Sequence, residues 1–180
     1  MASFSFLNQS DLNILTDKAT ELGCKVSYLE KDYYLIQLIK CLQKFSVKDG
    51  SFIFTGGTAL VKGYKLIDRF SEDCDFIFLK NRCNRRERSI VKEKLLDHFK
   101  QNGFLVSNCT SKNESKHWLF QIEYKQLSQE EHNLRPNLKL EIVHKECIKI
   151  GNLPEESIQS FLAEAKNNIP EVANITCLYC

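Results

Sequence analysis

Asp73 and Asp75 stand two positions apart, so on a strand both carboxylates project from one face while Cys74 points from the other. Carboxylates clustered in this way repel one another, and a hard cation such as Mg²⁺ relieves the repulsion, with phosphate oxygens completing its octahedral shell. Taken alone, an Asp-x-Asp pair is also an ordinary exposed acidic turn. Glu141 offers a third acid on a segment that alternates, with Leu138, Leu140 and Ile142 on one face and Lys139, Glu141 and Val143 on the other. If that strand lies beside the one carrying Asp73 and Asp75, the three acids converge on divalent metal. If it does not, Glu141 is a solvent-facing residue on the polar side of an edge strand.

A second constellation precedes the acids. Gly56-Gly57-Thr58 follows the apolar run Phe52-Ile53-Phe54 and precedes a segment with helical spacing. Two glycines let backbone N–H groups approach an anion without side-chain obstruction, and the start of a helix adds a favourable field for phosphate. Thr58 adds a hydroxyl donor, and Lys62 stands one helical turn further on, where its ammonium reaches toward a triphosphate. The plainer reading is a tight glycine turn. A P-loop is excluded, because the run from Gly57 to Lys62 lacks the Gly-Lys-Ser/Thr ending of that motif.

The elements that must position these residues follow from periodicity. Leu12, Leu15, Ala19 and Leu22 predict a helix from Gln9 to Leu22 stopped by Gly23, and a broad apolar face predicts a longer helix from Ser27 to Phe45. Phe52 to Phe54 predicts a strand, Ala59 to Ile67 a helix, and Cys74 to Leu79 a second strand. A charged helix from Arg85 to Gln101 closes near Gly103, and strands follow at Trp118 to Tyr124 and Leu138 to Val143. Pro154-Glu155-Glu156 reads as the first turn of a helix reaching Ala165, and Val172 to Tyr179 as a strand or the approach to one. The expectation is a mixed α/β (α+β) fold: a small sheet around the strands near Phe52, Cys74, Trp118 and Leu138, packed by helices.

The chain has 180 residues, 43% apolar and 27% charged, with 7 Gly and 3 Pro, which suits one ordinary globular core. No apolar run approaches membrane-spanning length, and the start lacks the features of a secretory signal, so a cytoplasmic setting is expected with no membrane partner. The 8 cysteines are scattered, which favours reduced thiols, and Cys177-x-x-Cys180 lacks the two further ligands of a zinc site. A net charge of +2 implies no global attraction to nucleic acid, so any basic surface is local. One candidate is Lys80 to Lys100, which could guide an RNA backbone; the interspersed acids favour a solvated helix face instead. His117-Trp118 could stack on a base, although a tryptophan in an alternating strand is more often core.

The run Phe54-Thr55-Gly56-Gly57-Thr58-Ala59-Leu60-Val61-Lys62-Gly63-Tyr64, followed by Leu66-Ile67-Asp68-Arg69-Phe70-Ser71-Glu72-Asp73-Cys74-Asp75-Phe76, resembles the AbiEii/AbiGii-type nucleotidyltransferase toxins. That family is a branch of the polymerase-beta-like superfamily that includes the MenT toxins. Lys31-Asp32-Tyr33 and Lys139-Leu140-Glu141-Ile142 also look like the family, so the similarity spans roughly residues 26 to 145. The resemblance implies a polymerase-beta-like nucleotidyltransferase fold, with a helical N-terminal part over residues 1–50, a catalytic core over about 51–150, and a single domain over 1–180. Family members usually carry a further helical C-terminal part, which this sequence is expected to lack.

By the same resemblance, Gly56, Gly57 and Thr58 would cradle a triphosphate, Asp73 and Asp75 would bind Mg²⁺ or Mn²⁺, and Glu141 would be the third acid. Lys62, Arg69 and Ser71 match the motif as substrate-binding residues, and Arg69 could equally buttress the loop. The implied reaction moves a nucleoside monophosphate from an NTP to an acceptor hydroxyl, with tRNA or another RNA as acceptor and an antitoxin as partner, in a toxin–antitoxin or phage-defence setting. The alternative is a non-catalytic nucleotide- or partner-binding module of the same fold. Metal-dependent hydrolysis of nucleic acid ranks third, since it has no need of a glycine cradle.

Overall fold

The computed structural model describes residues 6–64, 70, 72–128, 134–147, 153–166 and 171–178. The first helix, α1 (Gln9–Leu22), opens with a reciprocal cap: the Asn8 side chain accepts from Asp11 N–H while the Asp11 carboxylate accepts from Asn8 N–H. It ends at Gly23, whose φ of 64° suits a residue without a Cβ. α2 (Val26–Gln43) is buried along most of its length and runs through the centre of the molecule.

β1 (Ser51–Thr55) leads without a loop into the short α3 (Gly56–Lys62), and β2 (Asp73–Leu79) follows. α4 (Arg85–Gln101) begins with a second capping box, Asn84 with Glu87. β3 (Leu105–Lys112) and β4 (His117–Glu123) form a hairpin, and β5 (Asn137–Lys145) completes a five-stranded sheet of order β1-β2-β5-β4-β3. β2 and β5 are parallel, and the other neighbours are antiparallel.

The alternation along these strands separates two faces. Cys74, Phe76 and Phe78 of β2, Leu138, Leu140 and Ile142 of β5, and Trp118, Phe120 and Ile122 of β4 enter one core with α1, α2 and α4. Ile53 and Ile77 point to the opposite face, where Leu178 covers them. The acidic positions also lie on that opposite face, half-buried between fully buried neighbours.

The segment after Pro154 departs from the helix expected there. It forms β6 (Glu155–Ile158), paired with β7 (Val172–Thr176), and helix appears only at α5 (Phe161–Lys166). Pairing to β7 supplies the backbone partners that decide between the two states, and the Pro154 carbonyl accepts from Cys177 N–H at 3.0 Å. Leu178 N–H then donates to Phe54 O at 2.8 Å, so this segment borders β1. β3 was not expected: its sequence Leu-Val-Ser-Asn-Cys-Thr-Ser-Lys hardly alternates, as suits an edge strand solvated on most of its surface.

α3 begins three residues before its expected start, and the expected end at Ile67 lies outside the described residues, as does Cys180. The seven described cysteines are free. Among the described residues no helix is long and apolar enough to cross a membrane.

Candidate active site

Asp73 and Asp75 leave the same face of β2, and the parallel register with β5 sets Asp73 opposite Lys139 and Asp75 opposite Glu141. The register therefore brings a third acid beside the first two. Lys139 lies among them, its Nζ 3.4 Å from Asp73 Oδ2 and 3.2 Å from Glu141 Oε2. Burial first, then the charges of Glu141 and Asp73, push the Asp75 carboxyl above its usual range, with Lys139 opposing. Burial works against the charge on Lys139, but Glu141 and Asp73 outweigh it and hold the ammonium above its ordinary range.

This donor set fits a hard divalent cation in its chemistry: carboxylate oxygens on one sheet face, one of them destabilised by like charge. Full convergence of Asp73, Asp75 and Glu141 is a different matter. Among the described residues no three His, Cys, Asp or Glu side chains stand in a cation-holding arrangement. Asp73 is drawn to basic side chains instead, with Arg135 Nη1 2.6 Å from Oδ1.

The glycine turn meets the acids directly. Thr55 pairs with Asp75 across β1 and β2, and the next residue, Gly56, has φ 76°. A Cβ at Gly56 would lie 2.2 Å from Asp75 Oδ2, so the position requires glycine both for its backbone and for the space the carboxylate occupies. Thr58 is buried, and its hydroxyl donates to the Asp73 carbonyl, tying α3 to the start of β2.

Lys62 is engaged away from the acids. Its Nζ is 2.7 Å from Asp32 Oδ1, 3.4 Å from Gln159 O and 4.0 Å from the centre of the Phe161 ring. Its ammonium thus joins α3 to α2 and α5, and the reach toward phosphate expected from helical spacing is not the arrangement seen. Arg69 and Ser71 lie outside the described residues.

Three consecutive charged residues on α2, Glu30, Lys31 and Asp32, are all buried, and each holds a different segment near the site. Glu30 accepts from the N–H of Leu127 and of Ser128 and from the Ser128 hydroxyl. Lys31 Nζ donates to Glu72 Oε2 at 2.8 Å and to Arg135 O at 3.0 Å, while Arg135 N–H donates back to Glu72 Oε2 at 3.1 Å. Asp32 pairs with Lys62 and accepts from Phe161 N–H at the start of α5; burial pushes its carboxyl up against the pull of Lys62. The Lys31 network joins the residues just before β2 and β5, the two strands that carry the acids. Helical periodicity alone gives no hint of it, since polar residues within an apolar helix need their distant partners to be interpreted.

His117 brings its Nε2 to 2.9 Å from Glu141 Oε1, though out of line for a hydrogen bond. Its neighbour Trp118 is core, with Nε1 donating to Ser115 O at 2.8 Å. α4 packs on the face opposite the acids, as the Phe99–Phe120 ring contact at 5.8 Å shows. Of its basic residues, Arg88 is buried and donates to Cys83 O and Glu114 O, and Lys92 donates to Ser111 Oγ.

Gly56 thus presses against Asp75 on the sheet face, with Glu141 in register beside it. The sequence matches the family described as "Nucleotidyl transferase AbiEii toxin, Type IV TA system" over residues 40–178, and the chain belongs to that family. Among solved structures it is similar to MenT4, a nucleotidyltransferase toxin from Mycobacterium tuberculosis H37Rv, with 20% identity and a TM-score of 0.49, over 91% of this chain and 54% of MenT4. It is similar also to Cid1, whose structure is described in terms of RNA terminal uridylyl transferase activity, with 13% identity and a TM-score of 0.39, over 76% of this chain and 36% of Cid1. The chain thus spans about half the length of MenT4. No curated protein matches it.

Proposed function

We propose that this chain transfers a nucleoside monophosphate from an NTP to an acceptor hydroxyl, with RNA, and tRNA first, as the acceptor class, in a toxin–antitoxin setting. The observation that carries the reading is the register of β2 on β5, which sets Asp75 beside Glu141, with Gly56 closing on the Asp75 carboxylate. Family membership supports the same reaction class.

In this reading Asp73, Asp75 and Glu141 hold Mg²⁺ or Mn²⁺. Bound there, the cation supplies charge neutralisation for the phosphates and polarises the acceptor hydroxyl. The chain's own groups do the rest. Gly56 and Gly57 give the phosphates close access to backbone N–H groups. Thr58, through the Asp73 carbonyl, holds the glycine turn against β2. Lys62 positions α3 through Asp32. Glu141 is the carboxylate assigned to take the acceptor proton, since it faces the open side of the sheet beside His117.

The test is incubation with each NTP labelled at the α-phosphate, Mg²⁺ and total RNA. Label should pass to RNA with wild type and not with Asp75→Asn. Nucleotide binding without transfer to RNA or protein would favour the non-catalytic module instead.

A further inference from the structure

Among the described residues, the basic group nearest the Asp73 carboxylate is Arg135, two positions before the start of β5. Arg135 is held by its backbone on both sides: its N–H donates to Glu72 Oε2, and its carbonyl accepts from Lys31, whose side chain is only 3% exposed. Its side chain is in the opposite condition, 55% exposed, with Nη1 2.6 Å from Asp73 Oδ1. A backbone held on both sides therefore carries a solvent-accessible guanidinium that ends on one of the acids.

Asp73 needs positive charge beside it, because Asp75 and Glu141 stand on the same sheet face. Arg135 and Lys139 supply that charge in this arrangement. A divalent cation that takes the Oδ1 lone pair to which Arg135 donates displaces that donor. The displaced guanidinium stays within a side chain's reach of the site, and its fork of N–H donors matches phosphate oxygens.

Building on the nucleotidyltransferase reading above, we propose that Arg135 is an exchangeable counter-ion that becomes a triphosphate-binding residue. It neutralises Asp73 until a divalent cation takes that carboxylate, then turns to the phosphates of the incoming nucleotide. The exchange couples arrival of metal to capture of substrate.

The proposal requires opposite signs for two affinities in Arg135→Ala, both measured on the full chain after circular dichroism shows it folded. Mn²⁺ alone, titrated by electron paramagnetic resonance, should bind several-fold more tightly than to wild type. Mg²⁺–NTP, titrated by calorimetry, should bind about tenfold more weakly, the effect of one charge-assisted hydrogen bond. Arg135→Lys should recover part of the nucleotide affinity. Weaker or unchanged Mn²⁺ binding in Arg135→Ala, or unchanged nucleotide binding, overturns the role of Arg135 alone. Failure of wild type to bind either ligand overturns the nucleotidyltransferase reading together with it.

Discussion

Gly56 and Asp75 occupy each other's space: the glycine turns with φ 76° so closely over the carboxylate that a Cβ there would lie 2.2 Å from Oδ2. Gly56→Ala must therefore rotate Asp75 away and hold a left-handed backbone at an alanine, which costs about 1–2 kcal/mol. Mg²⁺-dependent NTP binding should fall steeply while the protein remains folded. Thermal melting beside calorimetry checks this, and binding at the wild-type level would show that the glycine turn serves folding only.

Asp75 itself should show stability and function in opposition. Its carboxyl is pushed up by burial, Glu141 and Asp73, so its ionised form weakens the native state at neutral pH. Asp75→Asn should raise stability by about 0.5–2 kcal/mol, or roughly 2–4 °C in Tm per kcal/mol, while nucleotide transfer is lost. A lower Tm in the variant would mean that the carboxylate is structural.

The Lys31–Glu72 pair is unequal, with side chains 3% and 36% exposed. Glu72→Ala leaves a buried ammonium on a carbonyl alone and should cost about 3 kcal/mol, the low end for a broken buried pair. Lys31→Met leaves Glu72, which water can reach, and should cost only about 1–2 kcal/mol. Urea titration of both variants compares them; the reverse order would refute the staple as described.

The same pair predicts an acid limb. Burial raises the Glu72 carboxyl, but the Lys31 and Arg135 hydrogen bonds and charges outweigh it and hold the group below its ordinary value of 4.5. An acid with a lowered folded pKa contributes stability that is present above the unfolded value and lost as pH falls through the folded one. Glu72→Gln should therefore flatten the decline of stability below about pH 4.5 relative to wild type. Parallel curves for the two proteins would remove Glu72 from the account.

What the residues disclosed in advance was local. The α1 and α4 bounds were legible because helical spacing agrees with Gly23 and Gly103 beyond their ends, and the face carrying Asp73, Asp75 and Glu141 was legible from period-two alternation. The adjacency of β2 and β5 was only conditional, because strand order depends on contacts across more than sixty residues. The helix expected after Pro154 yielded to pairing with β7, where tertiary partners override a helical first turn. The pairing of Lys62 with Asp32 and of Arg135 with Asp73 was hidden for a shared reason: each joins residues distant in sequence.

Calorimetric titration of the folded chain with NTP in Mg²⁺, repeated on Asp75→Asn, tests the central claim most directly. The account predicts saturable, Mg²⁺-dependent binding to wild type that the variant loses. Absence of binding to wild type with either Mg²⁺ or Mn²⁺, or equal binding to both proteins, would contradict it.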